Sequence, residues 1–182
     1  MKAQFKDHIR TITELENEIP KIIEAKNVML KTLNNGGCIY IAGNGGSAAD
    51  SQHFAAELVG RFKKERVALK SIALTTDSSA ITAIANDYSY EDIFTRQLQG
   101  LATSNDLFIG ISTSGNSKNI VNASKYCEKS GIKSITLTGS NGGELLNYSN
   151  LCIMVPSDVT ARIQEAHIFI VHLLCQAIDE FY

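Results

Sequence analysis

Cys38-Ile-Tyr-Ile-Ala-Gly-Asn-Gly-Gly-Ser-Ala-Ala-Asp-Ser-Gln-His-Phe-Ala-Ala-Glu-Leu-Val-Gly60 reads as a strand, a glycine loop and a helix in immediate succession. Cys38–Ala42 is a short apolar run, the length of a strand rather than of a helix. Gly43-Asn44-Gly45-Gly46-Ser47 interrupts it with residues that favour turns and helix starts. The segment Ser47–Gly60 then mixes apolar and polar residues as a helix packed on a sheet does. One such unit implies others, because a strand buried on both faces needs parallel neighbours and covering helices.

Working outward, the same alternation recurs. Strands are expected at Ser71–Leu74, Asp106–Ile111, Ser134–Leu137 and Leu151–Val155, and helices at Ser79–Asn86, Glu91–Leu101, Ser117–Ser130 and Thr160–Phe181. The pattern predicts an α/β fold: a three-layer αβα sandwich whose five-stranded parallel sheet is flanked by helices. Upstream, Phe5, Ile9, Ile12, Leu15 and Ile19 recur at helical spacing. Pro20 is expected to end that helix and open a second, which stops at Asn34-Asn35-Gly36-Gly37. The chain therefore reads as one domain over 1–182, with an N-terminal helical arm (1–35) and an α/β core (36–182). The arm has two equal placements, on its own sheet or on another subunit.

At 182 residues the chain closes a core without metal staples or disulfides. A formal charge of −2 offers no basis for a nucleic-acid or acidic-membrane partner. Cys38, Cys127, Cys152 and Cys175 stand far apart, with no C-x-x-C pair, as in a reducing compartment. With no apolar leader and no membrane-length apolar run, a soluble cytoplasmic protein is expected.

Ligands of parallel sheets bind at the carboxyl ends of strands. Three loops there share one composition: Gly43–Ser47, Ser112-Thr-Ser-Gly-Asn-Ser117 and Thr138-Gly-Ser-Asn-Gly-Gly143. Ser112–Ser117 offers four hydroxyls and a glycine at a helix start, the make-up of a phosphate cradle. Helix capping explains one such hydroxyl, not Ser112, Thr113, Ser114 and Ser117 together. Gly43-x-Gly45-x-x-Ala48 formally matches a dinucleotide fingerprint, but no acidic residue ends the next strand, so that reading fails.

His53 and Glu57 stand four apart and share one helix face, which Asp50 and Arg61 extend. Alone, that face would be a solvated stripe with a Glu57–Arg61 pair; its closeness to the first loop argues for more. His172 interrupts the apolar run Ile168–Cys175 and is expected to be well buried. An ordinary core histidine with satisfied nitrogens is the plainer account of it. Glu165 and His167 carry no comparable argument.

The run Ala42–Phe62, together with Ala85-Asn-Asp87, Ile111–Ser117, Leu137-Thr-Gly139 and Ala161-Arg-Ile-Gln-Glu-Ala-His167, closely resembles phosphoheptose isomerases of the sugar-isomerase (SIS) superfamily. Only the N-terminal arm is generic. The resemblance implies interconversion of sedoheptulose 7-phosphate and D-glycero-D-manno-heptose 7-phosphate, the first step towards nucleotide-activated heptose for bacterial surface glycans such as lipopolysaccharide core or capsule. It implies a homotetramer with active sites between subunits and one Zn2+ per subunit. By motif position, His53, Glu57, Gln164 and His172 match the family's metal-site residues, and Glu57 and His172 its acid/base pair. Asn44, Gly45, Gly46, Asn86, Asp87, Ser112, Thr113, Ser114, Ser117 and Gln164 match its substrate contacts. Non-catalytic initiator-associating proteins of the same superfamily, which bind DnaA, share the glycine loop and the A-R-I-Q-E segment. They lack the glutamate and histidine that stand here at positions 57 and 172, which favours the enzyme.

Chemically, a carboxylate at Glu57 suits removal of a carbon proton on the way to a cis-enediol, with His172 serving the oxygens. Zinc would act as a Lewis acid at the carbonyl. Gln164 and His172 lie about 12 Å apart on a continuous helix. Reaching one ion from the same helix would stretch both side chains. Supply from different subunits or helix irregularity near Gln164 would relieve this, and an interfacial site is expected.

Overall fold

The computed structural model describes every residue from Met1 to Tyr182. The strands are β1 (Ile39–Gly43), β2 (Ser71–Ala73), β3 (Leu107–Ile111), β4 (Lys133–Thr138) and β5 (Leu151–Met154). All pair in parallel, in the order β2-β1-β3-β4-β5. Helices α1 (Lys2–Glu14) and α2 (Ile19–Asn34) precede the sheet. The crossovers carry α3 (Gly46–Val59), α4 (Ser78–Asp87), α5 (Ile93–Leu101) and α6 (Lys118–Ser130), and α7 (Thr160–Phe181) closes the chain.

Strand alternation builds two cores. Ile39, Ile41, Leu107, Ile109, Ile135 and Leu137 point to one face, under α2, α3 and α7. Tyr40, Ala42 and Phe108 point to the other, under α5 and α6. Both β1 and β3 are buried along their whole length, which is why their sequences read as unbroken apolar runs. The chain leaves β1 towards one face and β3 towards the other. Between these neighbours lies the crevice in which such sheets hold ligands.

The arm packs on its own chain: Leu15, Ile22, Ala25 and Met29 join the first core, and α1 and α2 contact α7. The break in the arm falls earlier than Pro20. A 3-10 turn at Leu15–Glu18 joins the helices, and Pro20 sits in the first turn of α2, where its missing N–H costs nothing. The helix expected from Glu91 opens as a 3-10 turn at Tyr90–Asp92, with the Ser89 hydroxyl accepting from Glu91 N–H.

Candidate active site

Register sets the site. Gly43, Ile111 and Leu137 are level across β1, β3 and β4, so the loops that begin at Asn44, Ser112 and Thr138 emerge side by side. In the Ser112–Ser117 loop, the backbone N–H groups of Thr113, Ser114 and Ser117 donate to no other backbone group. The hydroxyls of Ser112 and Ser117 lie 2.9 Å apart, and Ser117 does not cap α6 with its side chain. Hydroxyls and amides are thus left for an anion, not spent on the helix.

The third loop supports the second. Gly139 N–H donates to Thr113 O (3.0 Å), Leu145 N–H to Gly115 O (3.0 Å) and Glu144 N–H to the Asn116 side chain (2.8 Å). Gly115, at φ +67°, lies so close to the Gly142 backbone that any Cβ would collide with it. Between the two loops opens a polar cleft of about 240 Å3, walled by Thr113, Ser114, Asn116, Ser140, Asn141 and Asp158 among others.

Asn44 bridges β1 to α6. Its Nδ2 donates to Asn119 Oδ1 (2.9 Å), and Asn119 Nδ2 donates back to Asn44 Oδ1 (2.8 Å). The Tyr90 hydroxyl also donates to Asn44 Oδ1 (3.0 Å). The sequence reading missed Asn119 and Tyr90, because both bond to Asn44 across long sequence separations that no local pattern signals. Asn86 and Asp87 end α4 exposed, with Asn86 Nδ2 donating to Asp87 Oδ1 (2.8 Å). Tyr90, just beyond them, is the nearest link between that segment and the loops.

A second cluster lies further along α3. His53 Nε2 is 3.0 Å from Glu57 Oε1, and the His53 and His172 rings face each other at 5.3 Å between centroids. Glu57 pairs with His53 and not with Arg61, which reaches Glu65 at 3.6 Å. On the same face, burial raises the Asp50 carboxyl, a push that His53 partly offsets. Phe62 stacks on His172 at 5.5 Å. The segment carrying Phe62 is anchored from behind. Arg66 donates to Asp179 Oδ1 (2.8 Å), Glu57 O (2.7 Å) and Leu58 O (2.9 Å), while Lys63 and Lys64 N–H donate to Asp179 Oδ2.

His172 is only half-buried, against expectation, and the core histidine is His167. The helical period turns Ile163, Ala166, His167, Ile170, Val171 and Leu174 inward and leaves residue 172 at the edge of that stripe. His167 Nε2 meets Thr138 O at 3.2 Å while Nδ1 has no partner, and burial drives its pKa down to about 4.

Gln164 does not join His53, Glu57 and His172. Its amide lies over the head of α3, where a Cβ on Gly46 would sit 2.5 Å from Nε2. Helix α7 is regular from Thr160 to Phe181, so irregularity does not bring Gln164 to His172. No group of three or more His, Cys, Asp and Glu side chains in this chain is arranged to hold a metal ion. The donor types suit zinc, but the four do not converge within one chain.

A family model described as the SIS domain matches residues 3–139. The chain is 49% identical over 182 residues to a phosphoheptose isomerase of Campylobacter concisus, covering all of this chain and 96% of the relative. The structure of a phosphoheptose isomerase from Francisella tularensis superposes with a TM-score of 0.95 at 40% identity, over 98% of this chain and 96% of that one. That of Neisseria gonorrhoeae gives 0.93 at 42%, with the same coverage. The loops, the His53–Glu57–His172 cluster and these full-length likenesses agree, and the chain belongs to the phosphoheptose isomerase family of SIS-domain proteins.

Proposed function

We propose that this protein converts sedoheptulose 7-phosphate to D-glycero-D-manno-heptose 7-phosphate, an aldose–ketose isomerisation that opens the route to nucleotide-activated heptose for surface glycans. The observation that carries the reading is that one chain holds both an uncapped, donor-rich Ser112–Ser117 loop and a carboxylate with two imidazoles at Glu57, His53 and His172. The loop receives the phosphate through neutral hydroxyls and amides. Glu57 removes the proton from the carbon beside the carbonyl and returns it to the neighbouring carbon, and His172 moves the proton between the two oxygens. Phe62 keeps the His172 ring in place by stacking on it. The non-catalytic, DnaA-binding relatives lack both residues of this pair, so that alternative ranks second.

Glu57 lies about 16 Å along α3 from Gly46 at the helix head, a separation that favours a site shared between two copies. A second copy then completes each site, bringing its loops and Gln164 to His53, Glu57 and His172. Exposed Phe5, Ile9, Ile19, Ile23 and Phe169 on the arm and α7 supply apolar surface for such an assembly, read here as a homotetramer. Zinc held by His53, Glu57, His172 and a second copy's Gln164 would polarise the substrate carbonyl. Four unpaired cysteines fit a cytoplasmic setting, and no helix is long and apolar enough to cross a membrane.

The test is incubation of purified, zinc-supplemented protein with sedoheptulose 7-phosphate, followed by NMR of the sugar carbons. Appearance of the aldose 7-phosphate is expected. No conversion by assembled, metal-loaded protein, with conversion of a shorter ketose phosphate instead, would overturn the heptose assignment.

A further inference from the structure

Asn119 occupies the second position of α6, is 2% exposed, and spends its side chain on one residue, Asn44. A buried amide needs partners for both its oxygen and its nitrogen, and a reciprocal pair with another amide satisfies both at once. The exchange joins the loops after β1 and β3 across the crevice at which the chain changes faces.

The hydrogen-bond inventory then fixes what Asn44 can offer a ligand. Its Oδ1 accepts from Asn119 Nδ2 and from the Tyr90 hydroxyl, which fills both lone pairs. Its Nδ2 gives one hydrogen to Asn119 and keeps the other. Its backbone N–H, like that of Gly45, donates to no backbone acceptor. Everything Asn44 has left is a donor, beside the open N-terminus of α3, whose cap residue Gly45 makes no side-chain bond. Left to rotate, the same side chain would offer its carbonyl as readily as its amine, and a carbonyl would repel a phosphate or sugar oxygen.

We infer that Asn119, assisted by Tyr90, is a positioning residue that holds Asn44 as a donor-only contact for an oxygen of the sugar phosphate. The inference rests on the isomerase reading for its substrate, not for its geometry. Tyr90 adds a second consequence. It belongs to the turn that follows Asn86 and Asp87, and Asn122 and Lys118 on α6 hold that turn through Glu91 O (3.3 Å) and the Glu91 carboxylate (3.2 Å). Helix α6 thereby sets the relative placement of the α4 end and the glycine loop.

A double-mutant cycle separates this role from a general structural one. With sedoheptulose 7-phosphate as substrate, Asn44→Ala and Asn119→Ala are each expected to lower kcat/KM about tenfold, and Tyr90→Phe about threefold. If Asn119 acts through Asn44, the Asn44→Ala/Asn119→Ala double variant is no worse than Asn44→Ala alone. A hundredfold loss in the double variant, the product of two independent effects, overturns the inference. Should wild type not turn over this substrate, the isomerase reading fails separately, and crystal structures decide the positioning role. Rotation of the Asn44 side chain in Asn119→Ala, with α3 and α6 unmoved, supports it. An unchanged Asn44 in that variant refutes it.

Discussion

His53 on α3 and His172 on α7 face each other with ring centroids 5.3 Å apart and planes inclined by 53°. Glu57 joins them at 3.0 Å from His53. Gln164, on the same unbroken helix as His172, lies instead beside Gly46. No three of this chain's His, Cys, Asp and Glu side chains are arranged to hold a metal by themselves, so the proposed zinc would need the assembly, with Gln164 of a second copy completing its donors. Assembled wild-type protein is expected to hold about one zinc per subunit by atomic absorption. His53→Ala should lose most of it, and dilution to separated subunits should lower retention. Full zinc content in dilute, monomeric protein would contradict the shared site.

Gly46 is small because Gln164 covers it. In Gly46→Ala the added methyl meets the amide end of a flexible side chain, 2.5 Å away, so Gln164 yields and the backbone does not. The fold should persist, with a melting temperature near that of wild type, while activity falls to the level of Gln164→Ala, about tenfold or more below wild type. Equal kcat/KM in the two variants is the diagnostic reading. Wild-type activity in Gly46→Ala would deny Gln164 a fixed place.

Arg66 and Asp179 form a pair whose side chains are 2% and 4% exposed. Burial pushes the Asp179 carboxyl up, but Lys64 and Lys63 N–H and the Arg66 guanidinium outweigh it and hold the pKa below the ordinary value. Because the folded state lowers this pKa, the pair stabilises fully above about pH 4 and loses its contribution as pH falls through the folded-state value. Asp179→Asn leaves a buried guanidinium uncompensated, at a cost of about 3–5 kcal/mol. Denaturant melts at pH 7 should show that loss, and the gap to wild type should narrow towards pH 3. A constant gap would mean the charge is irrelevant.

His167 gives stability a second pH dependence. Its folded pKa, about 4, lies below the ordinary 6.5, so the unfolded chain binds the extra proton first. Stability should therefore fall as pH drops from about 6.5 to 4, by about 3 kcal/mol in all. His167→Leu, which loses the contact to Thr138 O, should be destabilised at pH 7 yet nearly flat across that window. An unchanged slope in the variant would place the titration elsewhere.

Every strand starts and ends within a residue of its sequence-based position, because β1, β3 and β4 are buried enough to write themselves as apolar runs between turn residues. The donor-rich loop Ser112–Ser117 was equally plain, four hydroxyls in six residues being more than capping needs. What stayed hidden was non-local. Asn44 and Asn119 are 75 residues apart, and nothing near either forecasts their exchange. Position 172 was misjudged because apolar neighbours surround it in sequence, a pattern that conceals which side of the helix faces inward. The strain of bringing Gln164 and His172, eight residues apart on one helix, to a single ion was legible from spacing alone.

The central claim is that Glu57 and His172 transfer the protons of a heptose phosphate isomerisation. It is tested most directly by turnover of sedoheptulose 7-phosphate by wild type, Glu57→Gln and His172→Gln, with each variant shown to be folded and assembled. The account predicts aldose 7-phosphate from wild type and a loss of at least a hundredfold in kcat in both variants. Wild-type kcat in either variant would contradict it.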